Sequence, residues 1–208
     1  MRIAFLNQKG GVGKTTLAIN VAGALSKRGF KVLLVDADPQ QSALDWSGVR
    51  GEPSPFAIVA MAKPIIHKEL PAVEKGFDHV IIDSPPSVHT LTRSIIGAAD
   101  VVIVPVQPSP YDVWAAETLL ALIDEAAAVV NPDLKTAFVI NRKISNTAIG
   151  RDVSSSLQGY GKTVLSSEIC QRVGFAESAA QGKTVVEIDP KSAASLEIEA
   201  LTTEILGL

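Results

Sequence analysis

Cysteine is all but missing from this 208-residue chain. Cys170 stands alone, which excludes an internal disulfide framework and any four-cysteine metal site within one copy. Long apolar runs are missing too: nothing approaches the 18 or more residues of a membrane span, and even LLALIDEAAAVV is cut by Asp124 and Glu125. The N-terminus, MRIAFLNQKGG, offers four apolar residues before polar ones resume, so no secretory leader is expected and the cytoplasm is the expected compartment. The three histidines, His67, His79 and His89, have no metal-ligand spacing, and Trp46 and Trp114 are expected to pack. A net charge of −3 excludes attraction of the whole molecule to nucleic acid; any such binding needs a local patch. No low-complexity linker, domain boundary or internal repeat is visible. What remains is an ordinary globular composition, 47% hydrophobic and 20% charged, of a length suited to one well-cored domain over residues 1–208.

Short β-branched runs alternate with longer helical patterns. IAFLN (3–7), KVLLVD (31–36), HVIID (79–83), VVIVPV (101–106) and TAFVIN (136–141) are continuous apolar runs, the pattern of strands buried on both faces of a parallel sheet. FAIVAM (56–61) and KTVLS (162–166) are weaker candidates. Residues 14–28 place Leu17, Val21 and Leu25 four apart, with Gly29 where a helix terminator belongs. A second helix is expected from Pro110 to about residue 130, opened by Ser109 as N-cap with Asp112 three residues later. A third begins at Asp189 and Pro190 and aligns Ala194, Ile198, Leu201 and Ile205. This alternation predicts a doubly wound α/β domain with a mostly parallel sheet of about seven to eight strands flanked by helices.

The stretch LNQKGGVGKTTL (6–17) carries the chemistry. A strand leads into glycines and then into a helix, the context a phosphate-binding loop requires. Gly10, Gly11 and Gly13, with Val12 between them, let backbone N–H groups curl onto phosphate oxygens, and the helix N-terminus adds partial positive charge. Lys14 would reach the β- and γ-phosphates, the Thr15 hydroxyl would ligate Mg²⁺, and Thr16 would hold the α-phosphate. At residue frequencies of about 6%, K-G-G-x-G-K-[ST] arises by chance in roughly 10⁻⁵ of chains this long. The usual loop has glycine five positions before Gly13; here that position is Gln8, and Lys9 follows.

Residues 9–16, KGGVGKTT, resemble the deviant Walker A motif of the ParA/MinD family of P-loop ATPases at every position. The resemblance implies that Lys9 crosses to the phosphates of a second copy in a nucleotide-sandwich dimer, in the manner of an arginine finger. VDADPQ (35–40) matches the family's next motif: Asp36 would lie near the Mg²⁺ water shell and Asp38 would orient the attacking water, although Asp38-Pro39 also reads as a plain turn. HVIIDSPPS (79–87) resembles Walker B and the switch segment, making Asp83 a Mg²⁺ ligand through water. PVQPSPYDVW (105–114) resembles the proline-rich segment of the smallest plasmid-partition ParA proteins, called ParF-like; it reads either as a subunit contact or as a helix start. A guanine-reading N/T-K-x-D is absent, since Ile144 stands where its aspartate would be, which disfavours GTP; Asn141 can offer an amide to adenine.

The branches of the family separate by what is missing. A basic C-terminal amphipathic helix is absent, so no membrane binding is expected. Two cluster cysteines are absent, and because the loop begins nine residues in, no N-terminal helix-turn-helix is expected. The resemblance therefore implies a weak, partner-stimulated, ATP- and Mg²⁺-dependent ATPase for plasmid or chromosome partition. It implies a homodimer with possible higher assemblies, a ParB/ParG-like centromere-binding adaptor, and non-specific DNA as the nucleoid scaffold. Arg142, Lys143, Arg151, Lys162, Arg172 and Lys183 are the charge-compatible DNA contacts, or else ordinary solvated surface. Alternatives are a relative that positions another cargo, a small-molecule kinase or ligase of the same fold, and a filament timed by hydrolysis.

Overall fold

In the computed structural model, residues 1–86, 89–144 and 149–208 are described, excluding the side chains of 149–152. Seven strands run in the order β3-β2-β4-β1-β5-β6-β7. They are β1 (Arg2–Phe5), β2 (Val32–Asp36), β3 (Ala57–Ala60), β4 (His79–Asp83), β5 (Val101–Val106), β6 (Lys135–Lys143) and β7 (Thr163–Cys170). Every pairing among them is parallel. The five continuous apolar runs are the five inner strands and the two weaker candidates are the edges. An inner strand needs apolar side chains on both faces; an edge strand tolerates the half-exposed pattern of β3.

Alternation along each strand divides the core in two. On one face Ala4, Val35, Ile82, Val104 and Phe138 pack with α3 (Ile66–Val73), α4 (His89–Ala98), α5 (Pro110–Val130) and α6 (Ile149–Gln158). On the other, Ile3, Phe5, Leu34, Ile81 and Val139 pack with α1 (Lys14–Lys27), α2 (Ser42–Gly48), α8 (Val185–Ile188) and α9 (Ala193–Leu206). The remaining helix is α7 (Val173–Ala179). Leu17, Val21 and Leu25 are fully buried along α1. Gly29 ends that helix at φ +92, a left-handed conformation that costs a residue with a Cβ about 1–2 kcal/mol.

Three local expectations are corrected. The last helix starts at Ala193, not Asp189, because the Ser192 hydroxyl accepts the Ser195 N–H at 3.2 Å, while Asp189 is extended and closes a turn onto the Lys191 N–H. Its face is as expected, with Ile198, Leu201 and Ile205 fully buried. Ser109 does precede α5, with Pro110 at the first position, but the Ser109 hydroxyl caps nothing and the Asp112 carboxylate turns elsewhere. Trp46 packs as expected, stacked on Phe56 at 5.6 Å; Trp114 instead is exposed. No helix among the described residues is long and apolar enough to cross a membrane.

Candidate functional site

Parallel strands deliver their C-terminal ends to one edge, and the candidate residues gather there. In register, Asp36 of β2 sits beside Asp83 of β4, and Phe5 of β1 beside Asp83 on its other side. The loop after β1 is held from several directions. Asn7 donates to the Pro105 carbonyl at 2.8 Å and accepts the Lys9 N–H at 2.9 Å. Gln107 donates to the Gly11 carbonyl at 3.1 Å, and Asn141 to the buried Val12 carbonyl at 2.7 Å. Gly13 opens α1 at φ +96, and a Cβ there would lie 2.2 Å from the Asn141 amide nitrogen. Only glycine fits that position. Asn141 thus buttresses the loop from below, and it also lines a cleft of about 340 Å³ with Thr16, Arg142, Arg172 and Phe175.

Lys14 is buried, with its ammonium 3.1 Å from the Lys9 carbonyl beneath the loop. Burial pulls its pKa down, while Asp83 and Asp38 pull it up. Asp83 has no exposed surface, and apart from the Thr15 hydroxyl nothing among the described residues donates to its oxygens. Burial raises its pKa to about 7; the Thr15 hydroxyl and Lys14 act against that, Asp36 and Asp38 with it. Such an orphaned carboxyl is costly unless a cation satisfies it.

Asp36 is equally buried but fully engaged. One oxygen accepts the Asp38 N–H at 3.1 Å, the other the Ala43 and Leu44 N–H groups at 2.9 and 3.2 Å. Its burial raises its pKa, and those backbone donors lower it. Asp36 therefore folds the loop 37–41 and caps α2; a role in a metal's water shell leaves these bonds in place. Asp38 is half-buried, accepts the Gln40 N–H at 2.9 Å and closes a turn through Pro39, as the turn reading expects. Ser84 ties β4 to β1 through the Phe5 carbonyl at 2.7 Å. Of the SPPS segment, Ser87 lies outside the described residues.

Lys9 does not join Lys14. Its ammonium is 2.9 Å from Asp112 Oδ2 on α5, with the lysine side chain 47% exposed and the aspartate 3%. The other Asp112 oxygen is buried without a hydrogen-bond partner among the described residues. Sequence reasoning placed Asp112 and Gln107 in a segment read as a subunit contact or helix start, and Ser84 in the switch segment, but assigned none of these three, nor Asn7, the partners the fold gives them; for Asn7, Ser84 and Gln107 those partners lie 79 to 98 positions away.

The six basic candidates do not form one free patch. Lys143 pairs with Glu168, Lys162 with Asp124 at 2.6 Å, Arg172 with Glu197 at 2.5 Å and Lys183 with Glu52 at 3.1 Å. Each of these four is paired within the fold, through partly exposed contacts. Arg142 is exposed in a left-handed conformation at φ 54, at an irregularity between β6 and β7; the Arg151 side chain lies outside the described residues.

A glycine loop between strand and helix, a lysine beneath it and an unsatisfied buried carboxylate alongside make a phosphate site. Residues 3–185 match the CobQ/CobB/MinD/ParA nucleotide binding domain. The chain belongs to that family. It is 33% identical to the chromosome-partitioning ATPase Soj of Thermus thermophilus, over 99% of this chain and 95% of that protein. It is 30% identical to the maintenance of carboxysome distribution protein A of Halothiobacillus neapolitanus, over 98% and 95%. An ATP complex of a variant McdA from Cyanothece shares the fold at a TM-score of 0.83 and 18% identity, covering 100% of this chain and 96% of that one. The ParA/MinD resemblance carried by KGGVGKTT is therefore a family relationship, and the seven-stranded parallel sheet is its fold.

Proposed function

We propose that this chain is a slow ATPase that positions intracellular cargo, DNA in the first place, by closing and opening a dimer around ATP. The observation that carries the reading is the separation of two lysines in one loop. Lys14 is tucked beneath its own loop, and Lys9 is held 2.9 Å from Asp112 on α5. A loop lysine not engaged in its own site is available to a second copy.

In this reading the backbone N–H groups of residues 10–16 bind the phosphates, and Lys14 exchanges the Lys9 carbonyl for the β- and γ-phosphate oxygens. Mg²⁺, bound with ATP, screens the phosphate charge. The residues present fit it: Thr15 offers a hydroxyl, and Asp83 brings two buried oxygens with no hydrogen-bond donor beyond that hydroxyl among the described residues. Asp38 orients the attacking water, which needs positioning more than a strong base. The partner's Lys9 then supplies charge where the transition state develops it; such fingers contribute about 10³–10⁵ in rate. Asn141 contributes from beneath the loop and at the wall of the cleft expected to take adenine.

The named relatives act on a chromosome and on carboxysome distribution, so the motor is proposed to be common and the cargo to be chosen by an adaptor of ParB/ParG type in the cytoplasm. Non-specific DNA contact, on this reading, exchanges some of these partly exposed ion pairs for phosphate or uses other cations. Calorimetry of the Lys14→Ala variant tests the loop. The reading predicts no measurable ATP binding with the fold intact by circular dichroism, and retained affinity refutes it.

A further inference from the structure

The stretch PVQPSPYD (105–112) grips the phosphate loop at three points. β1 and β5 stay in register only as far as Phe5 and Ile103, so beyond them the Pro105 carbonyl is left to a side chain, and the Asn7 amide takes it at 2.8 Å. The Gln107 amide donates to the Gly11 carbonyl at 3.1 Å. Asp112 holds the Lys9 ammonium at 2.9 Å. Prolines at 105, 108 and 110 fix the backbone φ of the gripping segment, so the loop is held by a stiff element.

Peptide planarity turns the middle contact into chemistry. In a trans peptide the carbonyl of one residue and the N–H of the next point in opposite directions. A donor that holds the Gly11 carbonyl toward the end of β5 therefore aims the Val12 N–H the other way. Asn141 does the same one step along: it holds the Val12 carbonyl at 2.7 Å and so aims the Gly13 N–H. Neither N–H has an acceptor among the described residues. Gly11 stands at φ +76 and Gly13 at φ +96, and glycine adopts either hand at little cost. Without an outside donor on its carbonyl, such a peptide is free to flip.

We propose that Gln107 is a positioning residue of the phosphate site, which keeps the Val12 N–H turned toward a bound polyphosphate by holding the Gly11 carbonyl. The proposal rests on the phosphate-loop reading above and adds a residue to it. Its effect falls on the phosphates and not on the base, because Gln107 does not line the cleft that Asn141, Arg172 and Phe175 wall.

Two replacements of similar length separate the donor from the bulk. Gln107→Met has no donor, and Gln107→His keeps a ring N–H. Calorimetry with Mg²⁺ and either ATP or inorganic triphosphate, which carries no base, reads the effect. Gln107→Met is expected to weaken both ligands by the same factor, about fivefold, and Gln107→His to restore most of that loss. The bond is exposed, so both variants should melt as wild type does without ligand. A methionine variant that binds both ligands like wild type overturns the proposal. So does a loss confined to ATP, or a histidine variant no better than methionine. Each of those outcomes leaves the loop reading standing. A wild type that takes up neither ligand contradicts the loop reading itself, and this proposal with it.

Discussion

Asp83 is the residue on which acid–base behaviour turns. Its folded pKa of about 7 lies above the ordinary carboxylate value of 3.8, so the folded chain binds more protons than the unfolded one between those values. Stability therefore falls as pH rises through that window, by an amount on the order of 1–4 kcal/mol, and is flat above it. Asp83→Asn is expected to remove that decline without nucleotide, raising the melting temperature at pH 8 relative to wild type but not at pH 4. Thermal melts across this range check it; parallel curves would show that the carboxyl is satisfied in some other way. At the same scale, Asp38 acts on water while its turn with Pro39 holds the loop. Asp38→Ala should bind ATP and stop at the bound state, so normal phosphate release from that variant would remove the assignment.

At the scale of elements, the loop is held from the ends of β5 and β6 and from α5. Asn141, at the end of β6, gives the Val12 carbonyl its only side-chain donor among the described residues and fills the space a Gly13 Cβ would need. Asn141→Ala removes one buried hydrogen bond, about 1 kcal/mol. The melting point should fall by about 2–4 °C and ATP binding weaken about tenfold; calorimetry with unchanged affinity would reduce Asn141 to packing. The spacing KGGVGKTT made the loop legible, because strand, glycines and helix are neighbours in sequence. The buttresses were not legible: Asn141 is 129 positions from Val12, and Asp112 is 103 from Lys9. Asp112 was read as a helix start because capping is local and its real partner is not. The same limit explains the basic residues. Lys143, Arg172 and Lys183 look free in a linear sequence, and their carboxylates arrive only through β7, α9 and the segment after α2.

For the whole molecule, the sheet order places every candidate group except Lys9 on one chain's own nucleotide edge, and Lys9 on Asp112. That ion pair is partly exposed, so it contributes roughly 1 kcal/mol, little enough for a bound triphosphate's charge to outcompete. Leaving Asp112 buried and unpaired opposes release until the partner's phosphates are in reach, which makes the exchange conditional on dimer closure. Mass by light scattering, with saturating Mg²⁺ and ATP, tests this most directly. Wild type is predicted to double its mass with ATP and return to a single chain as ADP forms, while Lys9→Ala binds ATP and stays single. A wild-type chain that remains monomeric when fully loaded, or a Lys9→Ala variant that pairs and hydrolyses normally, would contradict the account.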